Sequence, residues 1–297
     1  MSHSSTIILE GGLGNRMRAA VSAYAISHKT GLTSRVLWTS QWGMRCRFDS
    51  LFEPICLTGF ELRDASLCER IVYTRPTLSN LFLPHLLQSI RYKNHVMSSS
   101  EVFEKSCQNF DFETWLQNRD TLIRSYRDFF PWTPSELRLL FHPTTVVKNL
   151  IKTRTENFGT YTIGVHIRRS DHEMAIKESP IELFTQAIDD ELDSHTDLII
   201  YLATDDEATK VAMKQRYGHR VISSPNKATR DNTEGIQEAL AEMFALSRTA
   251  KIYGSANSTF SQIAACLGDI KINILTRNGL GKINLLVTNT YLQSLSS

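Results

Sequence analysis

The sequence predicts an α/β protein, on three observations. The second half of the chain alternates short apolar runs with amphipathic helical stretches, glycines or hydroxyl residues stand where strands hand over to helices, and the first forty residues form a β-α-β unit. Residues 6–9 read as a buried strand. A glycine turn follows, then a helix with Met17, Ala20, Val21, Tyr24 and His28 on one face, closed by Gly31. Residues 35–38 read as the next strand. Between 48 and 141 the pattern is less regular, with helical stretches at 81–90 and 114–119 and a strand at 121–126.

From residue 161 the alternation sharpens. Strand 161–167 leads to helix 181–192, strand 198–203 and helix 207–217, which Gly218 stops. Strand 220–223, helix 234–247, strand 251–254, helix 259–267 stopped by Gly268, and strand 271–275 complete the series. Elements of these lengths predict a mostly parallel sheet covered on both faces. At 297 residues the chain has room for two medium domains. The polar stretch 152–159 is the expected linker, which gives domains 1–155 and 156–297.

Composition narrows the function classes. An apolar share of 41%, a charged share of 22% and a net charge of +2 are those of a soluble globular chain, so no nucleic-acid partner is expected. No apolar run reaches membrane-spanning length, and residues 6–9 are too short an apolar run for a signal peptide. Cys46, Cys56, Cys68, Cys107 and Cys266 are odd in number and scattered, with no C-x-x-C pair, which argues against a disulfide framework and a zinc site and favours a reducing cytoplasm.

Four strand-to-helix junctions carry candidate chemistry. Gly11-Gly12-Leu13-Gly14-Asn15-Arg16 presents bare backbone N–H groups at a helix start, a place for phosphate or carboxylate, though a tight turn alone also needs glycine. It lacks the Lys-Ser/Thr of a Walker loop and the third glycine of the dinucleotide fingerprint. His166-Ile167-Arg168-Arg169-Ser170-Asp171 ends a strand, at the edge where open α/β sheets bind ligands. His166 and Arg168 share one face of that strand; one arginine is suited to clasp a diphosphate and the other to anchor the loop through Asp171, the alternative being a surface salt-bridge cluster.

Thr204-Asp205-Asp206 ends another strand; adjacent carboxylates there read as a helix cap more readily than as a metal site, with Asp205 free to touch a nucleotide as well. Residues 254–262 bring Ser255, Asn257, Ser258, Thr259 and Ser261 to one helix start, a second anion site unless Ser258 is simply the cap. Glu242 lies on the preceding helix, where an exposed or salt-bridged role is the default. The acidic run 189–193 reads as a solvated face.

Together and in this order, these motifs resemble the GDP-fucose-dependent transferases: the α1,2- and α1,6-fucosyltransferases and the protein O-fucosyltransferases. Gly12-Leu13-Gly14-Asn15-Arg16 looks like their G-x-G-N-Q loop, with arginine for glutamine. His166 to Asp171 matches the α1,6 group's H-x-R-R-x-D in full, the segment Tyr201-Leu202-Ala203-Thr204-Asp205-Asp206 is similar to their second motif, and Ser258-Thr259-Phe260-Ser261 to their third. The resemblance holds over about 161–267, more loosely over the first forty residues, and not between 48 and 141.

What the resemblance implies is a GT-B fold, with two Rossmann-like domains facing a central cleft and the donor held mostly by the C-terminal one. The expected reaction is metal-independent, inverting transfer of L-fucose from GDP-fucose to a hydroxyl of a glycan or polysaccharide-precursor acceptor, with no cofactor. Donor contacts are then expected from Gly12, Gly14, Asn15, His166, Arg168, Asp205, Glu242, Ser258, Thr259, Phe260 and Ser261. Arg168 and the helix start at 258–261 meet the charge on the leaving diphosphate, His166 and Glu242 match positions that hold ribose and guanine, and Arg169 with Asp171 supports the loop.

Where the α1,6 enzymes carry a catalytic glutamate about ten residues after the motif's histidine, this chain has Ile176, flanked by Glu173 and Glu178. Either glutamate is a candidate base, and Glu173 is favoured because Glu178 stands nearer the next helix start, where a carboxylate also serves as a cap. Three alternatives stay open: another GDP-deoxyhexose as donor, a nucleotide-sugar-binding protein without catalysis, and a dehydrogenase using the glycine loop for NAD.

Overall fold

The structure, a computed structural model, describes residues 3–40, 44–73, 81–93, 95–117, 119–169, 173–226 and 228–288. It divides into two compact units, Met1–His142 and Pro143–Ser297.

The first unit opens with β1 (Ser4–Leu9), α1 (Leu13–Thr30), β2 (Thr33–Trp38) and β3 (Phe60–Asp64). It continues with α2 (Leu67–Tyr73), α3 (Leu83–Tyr92), β4 (Val96–Met97), α4 (Ser99–Cys107), α5 (Phe112–Leu116), β5 (Thr121–Ser125) and α6 (Pro134–Leu140). Its five strands are ordered β3-β2-β1-β5-β4, and every pairing is parallel. The continuous apolar run of β1 fits a central strand covered on both faces, and Ile7, Ile8 and Leu9 are fully buried. Gly31 closes α1 in the left-handed conformation, φ 69°, as expected. That helix is more deeply buried than a single amphipathic face: residues 16–23 are all buried, while His28 at its far end is exposed and stacks on Tyr24.

The second unit holds α7 (Thr145–Thr155), β6 (Thr162–Ile167), α8 (Glu173–Glu178), α9 (Ile181–Ser194), β7 (Ile199–Thr204), α10 (Glu207–Tyr217) and β8 (Val221–Ser223). Then come α11 (Thr233–Leu246), β9 (Lys251–Ser255), α12 (Thr259–Gly268), β10 (Lys271–Thr276) and β11 (Gly279–Gly281). The order β11-β10-β9-β6-β7-β8 is parallel except for the β10–β11 edge pair. Ile163, Val165, Ile167, Ile200, Leu202, Phe184 and Ile188 form the core between this sheet and α9.

The sequence boundary at 155/156 and the structural division at His142 and Pro143 differ. Residues 152–155 are the last turn of α7, and α7 packs on α11 of the second unit.

Two local readings change and one holds. α12 runs through Gly268 and is closed instead by Asp269, at φ 51°. Gly268 is there for close approach: a Cβ on it would lie 2.1 Å from the Ser247 carbonyl oxygen. The acidic run 189–193 is not wholly solvated either, since Glu191 is buried and accepts hydrogen bonds from Tyr161, Tyr253 and Lys251. Gly218 does end α10, at φ 60°.

Candidate functional site

In the second sheet the chain starts at β6, winds outward through β7 and β8, then returns to β9 and β10 on the other side. The order reverses between β6 and β9, and it is outside the carboxyl ends of such strands that open α/β sheets form their ligand crevice. His166 is in register with Ala203 of β7 and Gly254 of β9, so three of the sequence motifs meet at this one edge.

Hydrogen bonds lock the strand ends together. The Arg168 backbone N–H donates to Ser255 Oγ at 3.0 Å, and that hydroxyl donates to the His166 carbonyl at 3.2 Å. The Arg169 N–H donates to Asp205 Oδ1 at 2.7 Å. Asp206 is the cap of α10, accepting from Thr209 N at 2.7 Å, so the adjacent carboxylates divide between a cap and a loop tie. Asp171 lies outside the described residues; the tie that fixes the Arg169 backbone is the one to Asp205. The Arg169 pKa is lowered by burial, against the raising effect of Glu182, Asp206 and Asp205.

The His166 ring is buried and stacks on Phe260 of α12, centroids 4.9 Å apart. Burial first, then the Arg168 charge, push its pKa down to about 4. Its Nδ1 is buried with no hydrogen-bond partner. Ser258 stands at the N-cap of α12 without bonding the helix, and its Oγ is likewise buried and unpartnered. The simple reading of Ser258 as a cap therefore fails, because its hydroxyl caps nothing. Thr259 and Phe260 are half-buried and Ser261 is buried. Gly254 lets this helix start come up against β9, since a Cβ there would lie 2.7 Å from Ser261 Oγ.

Glu242 is buried on α11, which overturns the exposed default. Desolvation raises its pKa to about 7 against the attraction of Arg154 and Lys210, and Asp205 adds to the rise. Arg154 is itself committed to Glu238 and Ser224 Oγ, so it compensates Glu242 only from a distance.

The segment after the arginine motif is helical, α8, and its end returns to the same sheet edge. Ser179 Oγ donates to Leu275 O at 2.5 Å and accepts from Ala256 N at 2.8 Å. Glu178 accepts from Asn257 Nδ2 at 3.2 Å, and its carbonyl from Arg277 N at 2.9 Å. Glu173, in the first turn of α8, is exposed, and Ile176 is 39% exposed.

Gly12, Gly14 and Asn15 belong to the first unit. Gly11 has φ 78°, Gly12 is the N-cap of α1 with no side-chain bond, and Asn15 Oδ1 is buried without a partner. Arg16, the departure from the glutamine of the resembling loops, is a brace. It is buried, donates from Nε to Gly11 O and from Nη1 to Thr39 O, each at 2.8 Å, and lies 5.1 Å over the Trp38 ring. Burial, opposed by Glu10 and Asp64, lowers its pKa to about 10. Sequence alone marks Arg16 only by the mismatch; Ser255, central to the strand-end lock, carries no signal beyond its place after a strand.

Among the described residues no group of three or more His, Cys, Asp or Glu is placed to hold a metal ion, and no helix is long and apolar enough to cross a membrane.

No protein-family model matches the chain, and no curated protein matches it in sequence. Solved structures do match in fold. NodZ α-1,6-fucosyltransferase, from Bradyrhizobium, in a crystal soaked with GDP-fucose superposes over 95% of this chain and 97% of its own, with a TM-score of 0.65 and 16% identity. A mutant of Arabidopsis thaliana FUT1 in complex with GDP matches over 92% and 70%, with a TM-score of 0.60 and 18% identity. POFUT1 in complex with GDP matches over 92% and 98%, with a TM-score of 0.55 and 10% identity. At such identities what is shared is the architecture: the chain has the GT-B-type α/β fold of these fucosyltransferases.

Proposed function

We propose that this protein is an inverting glycosyltransferase that moves L-fucose from GDP-fucose to a hydroxyl of a glycan acceptor without a metal ion. One observation carries the reading: at the switch point of the second sheet, His166, Arg168 and the N-terminus of α12 converge, with His166 Nδ1 and Ser258 Oγ buried and unpartnered.

In the reaction the acceptor oxygen attacks the anomeric carbon, the bond from that carbon to the β-phosphate oxygen breaks, and GDP leaves with the electron pair. The Arg168 guanidinium, the N–H groups of the first turn of α12 and the Ser258 hydroxyl meet the growing phosphate charge. His166, neutral at pH 7, offers one donor and one acceptor to a ribose hydroxyl. Glu242 supplies a carboxylate for the N–H groups of guanine, and Asp205 keeps the arginine loop in register.

The acceptor proton goes to a carboxylate, and Glu173 remains the assignment. Glu178 is engaged by Asn257, immediately before the anion-binding helix start, where it works as a tether.

The test is transfer from GDP-fucose to a glycan array in the presence of EDTA, with the anomeric configuration of the product read by NMR. An α-fucoside made from the β-linked donor supports the proposal. Loss of transfer in EDTA, a product of retained configuration, or turnover only with a different GDP-deoxyhexose would each overturn part of it. GDP binding without transfer to any acceptor would favour a nucleotide-sugar sensor, a reading to which Ile176 in the usual place of the base lends weight.

A further inference from the structure

Helix α3 turns its apolar stripe away from the protein. Leu83, Leu86, Leu87 and Ile90 recur at the spacing of one helix face, yet they are 49%, 55%, 36% and 69% exposed. The face turned inward carries Pro84, Gln88 and Tyr92. Polar bonds hold it there: Gln88 Nε2 donates to Val72 O at 2.7 Å, and the Tyr92 hydroxyl donates to Thr6 Oγ1 at 3.0 Å and bonds Tyr73 Oη at 2.8 Å. Rotating the stripe inward would break all three bonds, two of them fully buried, and leave their donors without partners. Outward apolarity is thus a fixed property of the helix.

The surface extends beyond α3. Phe82 ahead of it is 50% exposed, and α2, which packs on α3, adds Leu67 and Ile71, four residues apart and 77% and 62% exposed. Isolated exposed leucines need no explanation, whereas a cluster of this kind marks an interaction surface.

The charge carried by α3 itself is of one sign. Arg91 and Lys93 are exposed on or beside it, and residues 70–97 contain no aspartate or glutamate; of the nearby acids, Glu69 on α2 is tied to Arg63 and Asp120 lies within electrostatic reach of Arg91. Aliphatic side chains flanked by cations fit a bilayer with anionic headgroups, which rewards buried apolar area and positive charge without asking for a shaped partner. Of the usual anchors of a protein interface, tryptophan, tyrosine and arginine, the outward face of α3 has only Arg91 among the described residues.

We infer that α2 and α3 form a foot that docks on an anionic membrane surface, with Phe82, Leu83, Leu86 and Ile90 entering the interface and Arg91 and Lys93 on lipid phosphates. This does not rest on the donor chemistry, and it concerns adsorption to a bilayer, not passage through one.

The experiment is co-sedimentation of the full chain with vesicles of phosphatidylcholine alone or mixed with phosphatidylglycerol. The expected result is binding to the mixed vesicles, weaker binding to phosphatidylcholine alone, and loss of binding at high salt. The Leu86→Glu, Ile90→Glu double variant should stay in the supernatant. The Arg91→Glu, Lys93→Glu variant should bind more weakly by on the order of tenfold or more. Both should melt like the parent, because the replaced side chains are exposed. Failure of the parent to sediment, or binding by the Leu86→Glu, Ile90→Glu variant at the parental level, would overturn the inference. So would a parent that ignores vesicles but forms a dimer in ultracentrifugation that this variant dissociates, since the face would then be an interface between copies.

Discussion

His166 and Glu242 are buried ionisable groups whose pKa values move toward the neutral form from opposite sides. The depressed value of His166 means the unfolded chain binds more protons between pH 6.5 and about 4, so its contribution to stability is lost as pH falls through that window. The raised value of Glu242 means the folded chain binds more protons between pH 4.5 and about 7, so its contribution is lost as pH rises through that one. In the overlap the two oppose each other. In urea denaturation as a function of pH, their contributions should therefore largely cancel in the parent between pH 4.5 and 6.5, leaving the slope set by the other carboxylates, such as Glu69 and Glu191, whose pKa values are lowered by their partners. Relative to the parent, Glu242→Gln should show a stability that rises with pH across this window, and His166→Asn one that falls, each by on the order of 2 kcal/mol. Identical profiles for all three proteins would mean that neither group is buried as described.

Arg168 is tested by kinetics. Its alanine variant should lose about 2–4 kcal/mol of transition-state stabilisation, as removal of a preorganised charge donor does. Arg168→Lys should recover little, because an ammonium cannot reproduce the guanidinium fork. Donor turnover by Arg168→Ala at the parental rate would remove this residue from the phosphate site.

At the scale of elements, α12 is placed by two glycines with different jobs. At Gly254 a side chain would press on Ser261 in the first turn of the helix, while at Gly268 it would meet the Ser247 backbone at the far end. Gly254→Val should therefore weaken GDP binding as well as stability, whereas Gly268→Ala should cost stability, of order 1–3 kcal/mol, and leave the affinity of the folded protein near the parental value. Melting curves and GDP titrations on both variants separate the two; equal losses of affinity would contradict this division.

The same elements show what was legible in the sequence. β6, β7, β9 and β10 are buried apolar runs bounded by helix stops, and each falls within two residues of its expected place. α3 defeats pattern reading in one respect: its stripe has the spacing of a core-facing helix, but hydrogen bonds from Gln88 and Tyr92 turn it outward. β4 is only two residues long, below what alternation can signal, and α7 lay hidden because its ending resembles a polar linker. Glu191 passed for solvent-facing because its partners Tyr161, Tyr253 and Lys251 come from strand segments 30 to 62 positions away.

At the scale of the whole molecule, each unit holds a sheet, parallel apart from the β10–β11 edge pair of the second, with strands to either side of a first central strand. Both place a glycine or serine junction at a helix start beside that centre. The second unit reads clearly in sequence because its motifs lie at the ends of adjacent strands. The first reads poorly because its short helices and the two-residue β4 separate β3 from β5. The contribution of Arg16, a buried brace under the glycine loop, follows from packing against Trp38 and Thr39.

On the function proposed above, the second unit's switch point is a metal-independent site for a guanine nucleotide diphosphate. Calorimetric titration of the full chain with GDP and with UDP, in EDTA, tests it most directly. GDP should bind saturably, UDP much more weakly, and the GDP signal should be lost in Arg168→Ala. Equal affinity for the two nucleotides, or GDP binding that needs a divalent ion, would contradict it.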